Sequence, residues 1–164
     1  MNMNIINTGN EQGQSISVVG DTYRILISGE QTGGNYAVID MLVVPPGGGP
    51  GPHAHKDMQE MFYVVEGEID FKMQSGSYTA KKGAFVNIPL GGAVHSFKNK
   101  TDTVAHLLCT VVPAGLESFF KEIGKPIAAG EFLTPQPPTS EELNKLQQLA
   151  EKYGQKLYPP NFLD

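Results

Sequence analysis

The sequence predicts an all-β fold, a small antiparallel barrel followed by two short C-terminal helices. Three observations carry this. From residue 15 to residue 112 the chain is a succession of short apolar or β-branched runs, and a turn signal separates each from the next. Gly 19 and Pro 12 in 164 residues make a chain that turns often. Beyond residue 113 the apolar period lengthens to that of a helix, which marks a tail of different character.

Residues 1–14 are polar and read as a flexible N-terminal arm. Residues 15–19 and 23–28 alternate apolar with polar around Gly20-Asp21 and read as a hairpin. Residues 36–44 are nearly all apolar, which predicts a strand buried on both faces or lying in a tight barrel. A Pro/Gly loop over 45–52 fixes where the next strand, His53–His55, enters. Strands then follow over 60–65, 69–74, 77–80, 84–88, 94–99 and 104–112, with Gly or Asn/Asp/Lys at the breaks. Leu116, Phe119, Phe120 and Ile123 recur at helical spacing, and Gly124 and Pro126 end that helix. A second helix is expected from a cap at Ser140 to about Tyr153, with Leu143, Leu146, Leu149 and Ala150 as its buried stripe. The expected organisation is an arm over 1–14, a barrel with its first helix over 15–124, and an extension with one helix over 125–164.

Composition excludes several classes. A net charge of -5 with no Lys/Arg cluster argues against nucleic acid. The only cysteine, Cys109, permits no intrachain disulfide and no Cys-x-x-Cys centre, and is read as a small core residue. The first residues lack the basic and apolar regions of a signal peptide, and no apolar run is long enough for a bilayer, so a cytoplasmic location is the expectation.

The chemistry concentrates between residues 47 and 67. On a strand, residues i and i+2 face the same way, so His53 and His55 project together. Glu60 opens the next strand after a short polar turn, and His95 follows another Pro/Gly turn. Three imidazoles and a carboxylate suit a divalent transition metal (Fe, Mn, Ni, Co, Cu or Zn), and four protein ligands leave coordination positions for water or substrate. By the same parity Phe62, Val64 and Phe97 face inward, either as the floor of an apolar substrate pocket or as plain core filling. His106 is read as a surface histidine on the outward face of its strand, with a role supporting a ligand as the alternative.

These residues resemble the two motifs of the cupin superfamily, G-x5-H-x-H-x3-4-E-x6-G and G-x5-P-x-G-x2-H-x3-N. Gly47, His53, His55, Glu60 and Gly67 match the first. Gly83, Pro89, His95 and Asn99 match the second, with one extra turn residue shared between Gly91 and Gly92. The resemblance covers roughly residues 36–124 and implies a cupin jelly-roll barrel with His53, His55, Glu60 and His95 as metal ligands. The helix after the barrel is similar to that of small bacterial cupins related to quercetin 2,3-dioxygenase. That similarity implies oxygenase chemistry on enol-like or aromatic small molecules, with Glu60 as ligand or as general base. A metal-dependent isomerase, decarboxylase or hydrolase of a small acid or sugar is the alternative, as is a non-catalytic small-molecule-binding cupin. A homodimer is expected, paired through the edge that residues 15–28 supply.

Overall fold

The structure is a computed structural model and describes residues 4–164. Two antiparallel sheets lie face to face. The larger begins with a hairpin, β1 (Gln14–Val18) and β2 (Asp21–Ile27), and continues through β3 (Ala37–Val43). The chain then crosses to β4 (His53–His55), returns as β5 (Gln59–Glu66), and forms the hairpin β6 (Glu68–Met73) and β7 (Gly76–Lys81). It ends the jelly roll with β8 (Phe85–Ile88), β9 (His95–Lys98) and β10 (Ala105–Val112). Two further strands come from the tail, β11 (Lys125–Pro126) and β12 (Gln155–Leu157). The strand orders are β11-β1-β2-β3-β10-β5-β8 and β12-β4-β9-β6-β7. Among the described residues no ladder joins the two sheets, so the jelly roll is a pair of open sheets rather than the closed barrel expected from sequence.

The strands sit where the turn residues predict them. The hairpin turn lies one residue earlier than expected, at Val19-Gly20, with positive φ of 51° and 93°. Burial along β3 alternates, so of the two expected alternatives, burial on both faces or a place in a tight barrel, the first does not hold: the strand is covered on one face only. Its outward positions hold Val38, Asp40 and Leu42 at half-burial.

The core lies between the sheets. Phe62 from β5, Phe71 from β6 and Phe97 from β9 meet with ring centroids 5.2–5.4 Å apart. Such a cluster adds edge-to-face attraction to the burial of three large side chains. The helix α2 (Leu116–Ile123) covers one flank with Leu116, Phe119 and Phe120, and the Phe120 ring stands 4.9 Å from Tyr23. A one-turn helix, α1 (Gly29–Thr32), occupies part of what sequence reads as a plain turn. The buried Glu117 carboxylate accepts from Gly29 N and Gly115 N, both at 2.8 Å, and ties the starts of α1 and α2 together.

The last helix, α3 (Ser140–Lys152), is capped by Thr139 and not by Ser140. Thr139 Oγ1 accepts from Glu142 N, and the Glu142 carboxylate accepts from Thr139 N, a reciprocal capping box. Only Leu149 and Ala150 of its expected stripe are buried, and Leu143 is half exposed. The reason is that α3 touches the rest mainly through its last turns, against α2 and β12. Of the expected arm, residues 4–13 carry no regular structure, and residues 1–3 lie outside the described part. Arg24 fastens this segment to β2 by donating to Gly9 O and Asn10 O at 3.0 and 2.6 Å. Among the described residues no helix is long and apolar enough to cross a membrane.

Candidate metal centre

Two stretches of the chain meet at the centre, and a buried asparagine joins them. The 45–52 loop runs beside the end of β9. Gly47 N donates to Asn99 O at 2.6 Å, and Asn99 N donates to Gly48 O at 3.0 Å. The Asn99 side chain is fully buried and fully used: Nδ2 donates to Val43 O and Thr103 O, and Oδ1 accepts from Thr101. Gly49 passes so close to β9 that a Cβ there would meet Phe97 O at 2.3 Å, and its φ of +105° bars most side chains as well. On the other side the loop is held by Asp21, whose two carboxylate oxygens accept from Val44 N at 2.9 Å and Gly49 N at 2.8 Å. Burial pushes the Asp21 carboxyl up to about 6 against these two hydrogen bonds and the nearby Lys98 charge.

The loop delivers β4, which pairs with β9 at a single registered position, His53 opposite His95. The extra residue of the second motif is absorbed by the turn before β9, where Gly91 and Gly92 both have positive φ. Glu60 comes from the facing sheet, on β5. His53, His55, Glu60 and His95 are all buried, and each offers one ligand atom within 4.8 Å of the other three. All four residues singled out in the sequence are therefore brought together.

The hydrogen bonding explains why this cluster fits a metal. His53 Nδ1 lies 2.8 Å from Gly51 O, and His95 Nδ1 lies 2.9 Å from Ala93 O. A carbonyl only accepts, so both Nδ1 atoms carry the proton and both Nε2 atoms present a lone pair. His95 Nε2 is nonetheless 3.1 Å from Glu60 Oε2, which places a lone pair against a carboxylate oxygen. A cation between them, proton or metal, is what makes that approach favourable. His55 Nε2 also stands 3.1 Å from Glu60 Oε2, but off the ring N–H direction, so neither His55 nitrogen has an aligned hydrogen-bond partner. A buried imidazole with both nitrogens unsatisfied is costly unless something coordinates it.

The electrostatics agree. Burial, with the neighbouring His95, pushes the His53 imidazole down to about 3, which keeps it neutral and its lone pair free. Burial alone would raise the Glu60 carboxyl. The His55 and His95 rings beside it overcome that and hold it well below the usual carboxylate range. Three imidazole nitrogens and one carboxylate oxygen form a donor set for a borderline divalent ion.

Other expected residues fall elsewhere. Phe62, Val64 and Phe97 do face inward, but they are 0 %, 0 % and 2 % exposed and belong to the packed core. The filling role, not an open floor, is the one these side chains occupy. His106 lies on the outward face of β10, with Nε2 against Asp40 Oδ1, and Asp40 also accepts from Arg24 at 2.8 Å. Two neighbours of the centre have no signal in the sequence. Cys109, read only as core filler, points its Sγ at Glu60 Oε1, 3.7 Å away, and its thiol is pushed up by burial and by that carboxylate. Gln155 on β12 pairs in register with His55. A surface cleft of about 610 Å³, bordered by Ala54, Lys56, Gly92, Gln155 and Tyr158, lies alongside.

Known proteins show the same architecture. No curated protein matches the chain by sequence. Solved structures do match by fold. A sugar phosphate isomerase of the cupin superfamily from Silicibacter pomeroyi superposes with a TM-score of 0.52 at 24 % identity, over 58 % of this chain and 61 % of its own. This chain thus spans less than two thirds of that relative. A predicted oxalate decarboxylase from Thermotoga maritima reaches a TM-score of 0.58 at 21 % identity, over 66 % of this chain and 98 % of its own. Ectoine synthase from P. lautus reaches 0.51 at 18 % identity, over 77 % of this chain and 84 % of its own. Residues 40–111 match the family model of the cupin domain, a span that holds all four clustered ligands. The jelly roll built around that span has the cupin fold.

Proposed function

We propose that the protein binds one divalent transition metal through His53, His55, Glu60 and His95 and uses it as an oxygenase of small enol-like or aromatic molecules. The observation that carries the metal reading is the inward presentation of the His53 and His95 Nε2 lone pairs onto an ionised, buried Glu60. A bound ion of this class would supply Lewis acidity and, where redox-active, one-electron chemistry with dioxygen.

The chain's own groups set the conditions. Gly51 O and Ala93 O fix two imidazole orientations. Glu60 contributes the one negative charge. It serves as a ligand or as the general base for a substrate hydroxyl. Phe62 and Phe97 seal the inner side, so the substrate approaches from the turns at 56–58 and 89–94. Lys56 and Lys156 border the cleft beside the centre, and Arg24 is engaged with Asp40 on the outer sheet face.

A second reading has support from the company of the fold, which includes a sugar phosphate isomerase and a predicted oxalate decarboxylase. In that reading the four residues of this chain would hold an ion that serves Lewis-acid chemistry without oxygen. Elemental analysis of purified protein together with oxygen uptake on flavonols and diketones separates the two. One equivalent of iron, manganese, nickel, cobalt or copper with uptake is expected, and bound zinc without uptake overturns the oxygenase. A His95→Ala variant is expected to lose metal by at least about 100-fold in affinity, since it removes a ligand outright. Full metal retention in that variant overturns the site itself.

A further inference from the structure

We infer that Gln155, from the C-terminal extension, is the positioning residue for His55: its amide oxygen accepts a hydrogen bond from His55 Nδ1–H and so presents Nε2 to the metal. The inference rests on the metal reading above and goes beyond it, because it makes the tail of the chain a component of the centre.

The three imidazoles are held unequally. Metal-binding histidines are oriented by a hydrogen bond from the nitrogen that does not coordinate. His53 has this bond to Gly51 O and His95 has it to Ala93 O, in both cases the carbonyl two residues earlier. His55 has no such bond, and its Nδ1 is buried without a partner. Something must supply one if His55 is to coordinate through Nε2 like the others.

Gln155 is in the right place with the right group. β12 pairs antiparallel with β4, and Gln155 stands directly opposite His55. Opposed residues of an antiparallel pair project to the same face, with Cβ atoms about 4.5–5.5 Å apart. Gln155 is only 6 % exposed, yet its Nε2 has no acceptor. A buried amide nitrogen and a buried imidazole nitrogen, both unsatisfied and both on one face of a registered pair, satisfy each other once the amide is turned so that its oxygen meets the Nδ1–H. The remaining positions of β12 do not compete: Lys156 opposite Ala54 projects to the other face, and Leu157 opposite His53 is apolar.

The test uses the full chain, stripped of metal, with Co(II) as the probe. Gln155→Met keeps the length and volume of the side chain and removes the acceptor, Gln155→Glu keeps the acceptor, and Lys156→Ala controls for general damage to β12. Co(II) affinity and the visible ligand-field spectrum are measured, and the melting curve of each metal-free variant reports the fold. Gln155→Met is expected to weaken Co(II) by about 10–100-fold and to change the spectrum, while Gln155→Glu and Lys156→Ala stay near the unmodified chain. An unmodified chain that binds Co(II) together with a Gln155→Met variant that binds it equally, with the same spectrum, overturns the assignment. Equal losses in Gln155→Met and Gln155→Glu overturn it too, since the acceptor would then be irrelevant. Failure of the unmodified chain to take Co(II) is a different result and sinks the metal reading on which the assignment stands.

Discussion

Asp21 holds the loop that brings His53 to the centre, and it does so at a cost that pH controls. Its carboxylate accepts from both Val44 N and Gly49 N, while burial raises its pKa from 3.8 to about 6. A carboxyl raised on folding has the opposite sign from an ordinary salt-bridged one. Between about pH 4 and 6 the folded state holds a proton that the unfolded state has released, so stability from this group falls as pH rises through that window. Lys98, which donates to Gly49 O at 2.5 Å, and the Tyr23 phenol are the polar groups that face it. Replacing Asp21 by Asn removes the titration. In urea unfolding, the stability of the unmodified chain relative to Asp21→Asn is expected to drop by up to ~3 kcal/mol between pH 4 and 6, and then to level off. Parallel profiles for the two proteins would show that the group does not titrate there. The single residues also show what a sequence can carry. His53, His55, Glu60 and His95 are legible because a strand's two-residue period and the Gly/Pro turns are local features that aim all four at one space. Cys109 and Gln155 are not, because their relation to Glu60 and His55 depends on register between strands distant in the chain.

Among the elements, the β1–β2 turn is the one whose residue opposes its conformation. Val19 and Gly20 both have positive φ, as in a type I′ turn. Glycine tolerates this at no cost, but a β-branched side chain is disfavoured there by about 1–2 kcal/mol. Val19 is 74 % exposed, so its side chain gains little from packing in return. Val19→Asn is expected to stabilise the fold by about 1 kcal/mol in the same unfolding assay, with no change in metal affinity. The mismatch also explains why the sequence places the turn one residue late, at Gly20-Asp21: nothing about valine signals a left-handed position. Elements with strong turn chemistry at both ends, such as β6 and β7, are legible to within a residue or two. The short pieces α1, β11 and β12 carry no periodic pattern and exist because tertiary partners supply what their own length cannot.

For the whole molecule, the jelly roll is legible from the density of short strands, but its closure is not. A strand count cannot say whether the last ladder between two sheets forms, and here the two remain open. Nor does inward parity say whether the interior is filled, and Phe62, Phe71 and Phe97 fill it. The expected homodimer stays a proposal, to be measured by light scattering. The edge suggested for it is already engaged, since β11 pairs with Ile16 and Ser17 and Ile127 N donates to Ser15 O at 3.1 Å.

The tail that covers β4 gives the centre a place in time as well as in space. His55 and Gln155 lie a hundred positions apart in the chain, whereas His55 and Glu60 are joined by a short turn. Contacts between distant segments form late, because the intervening loop must be closed first. The wall that carries two of the three imidazoles is therefore expected to acquire its outer neighbour after the sheets have paired. During refolding in Co(II), the visible spectrum of the bound ion should lag behind the far-ultraviolet signal of the strands, so that metal capture marks the end of folding and not its beginning.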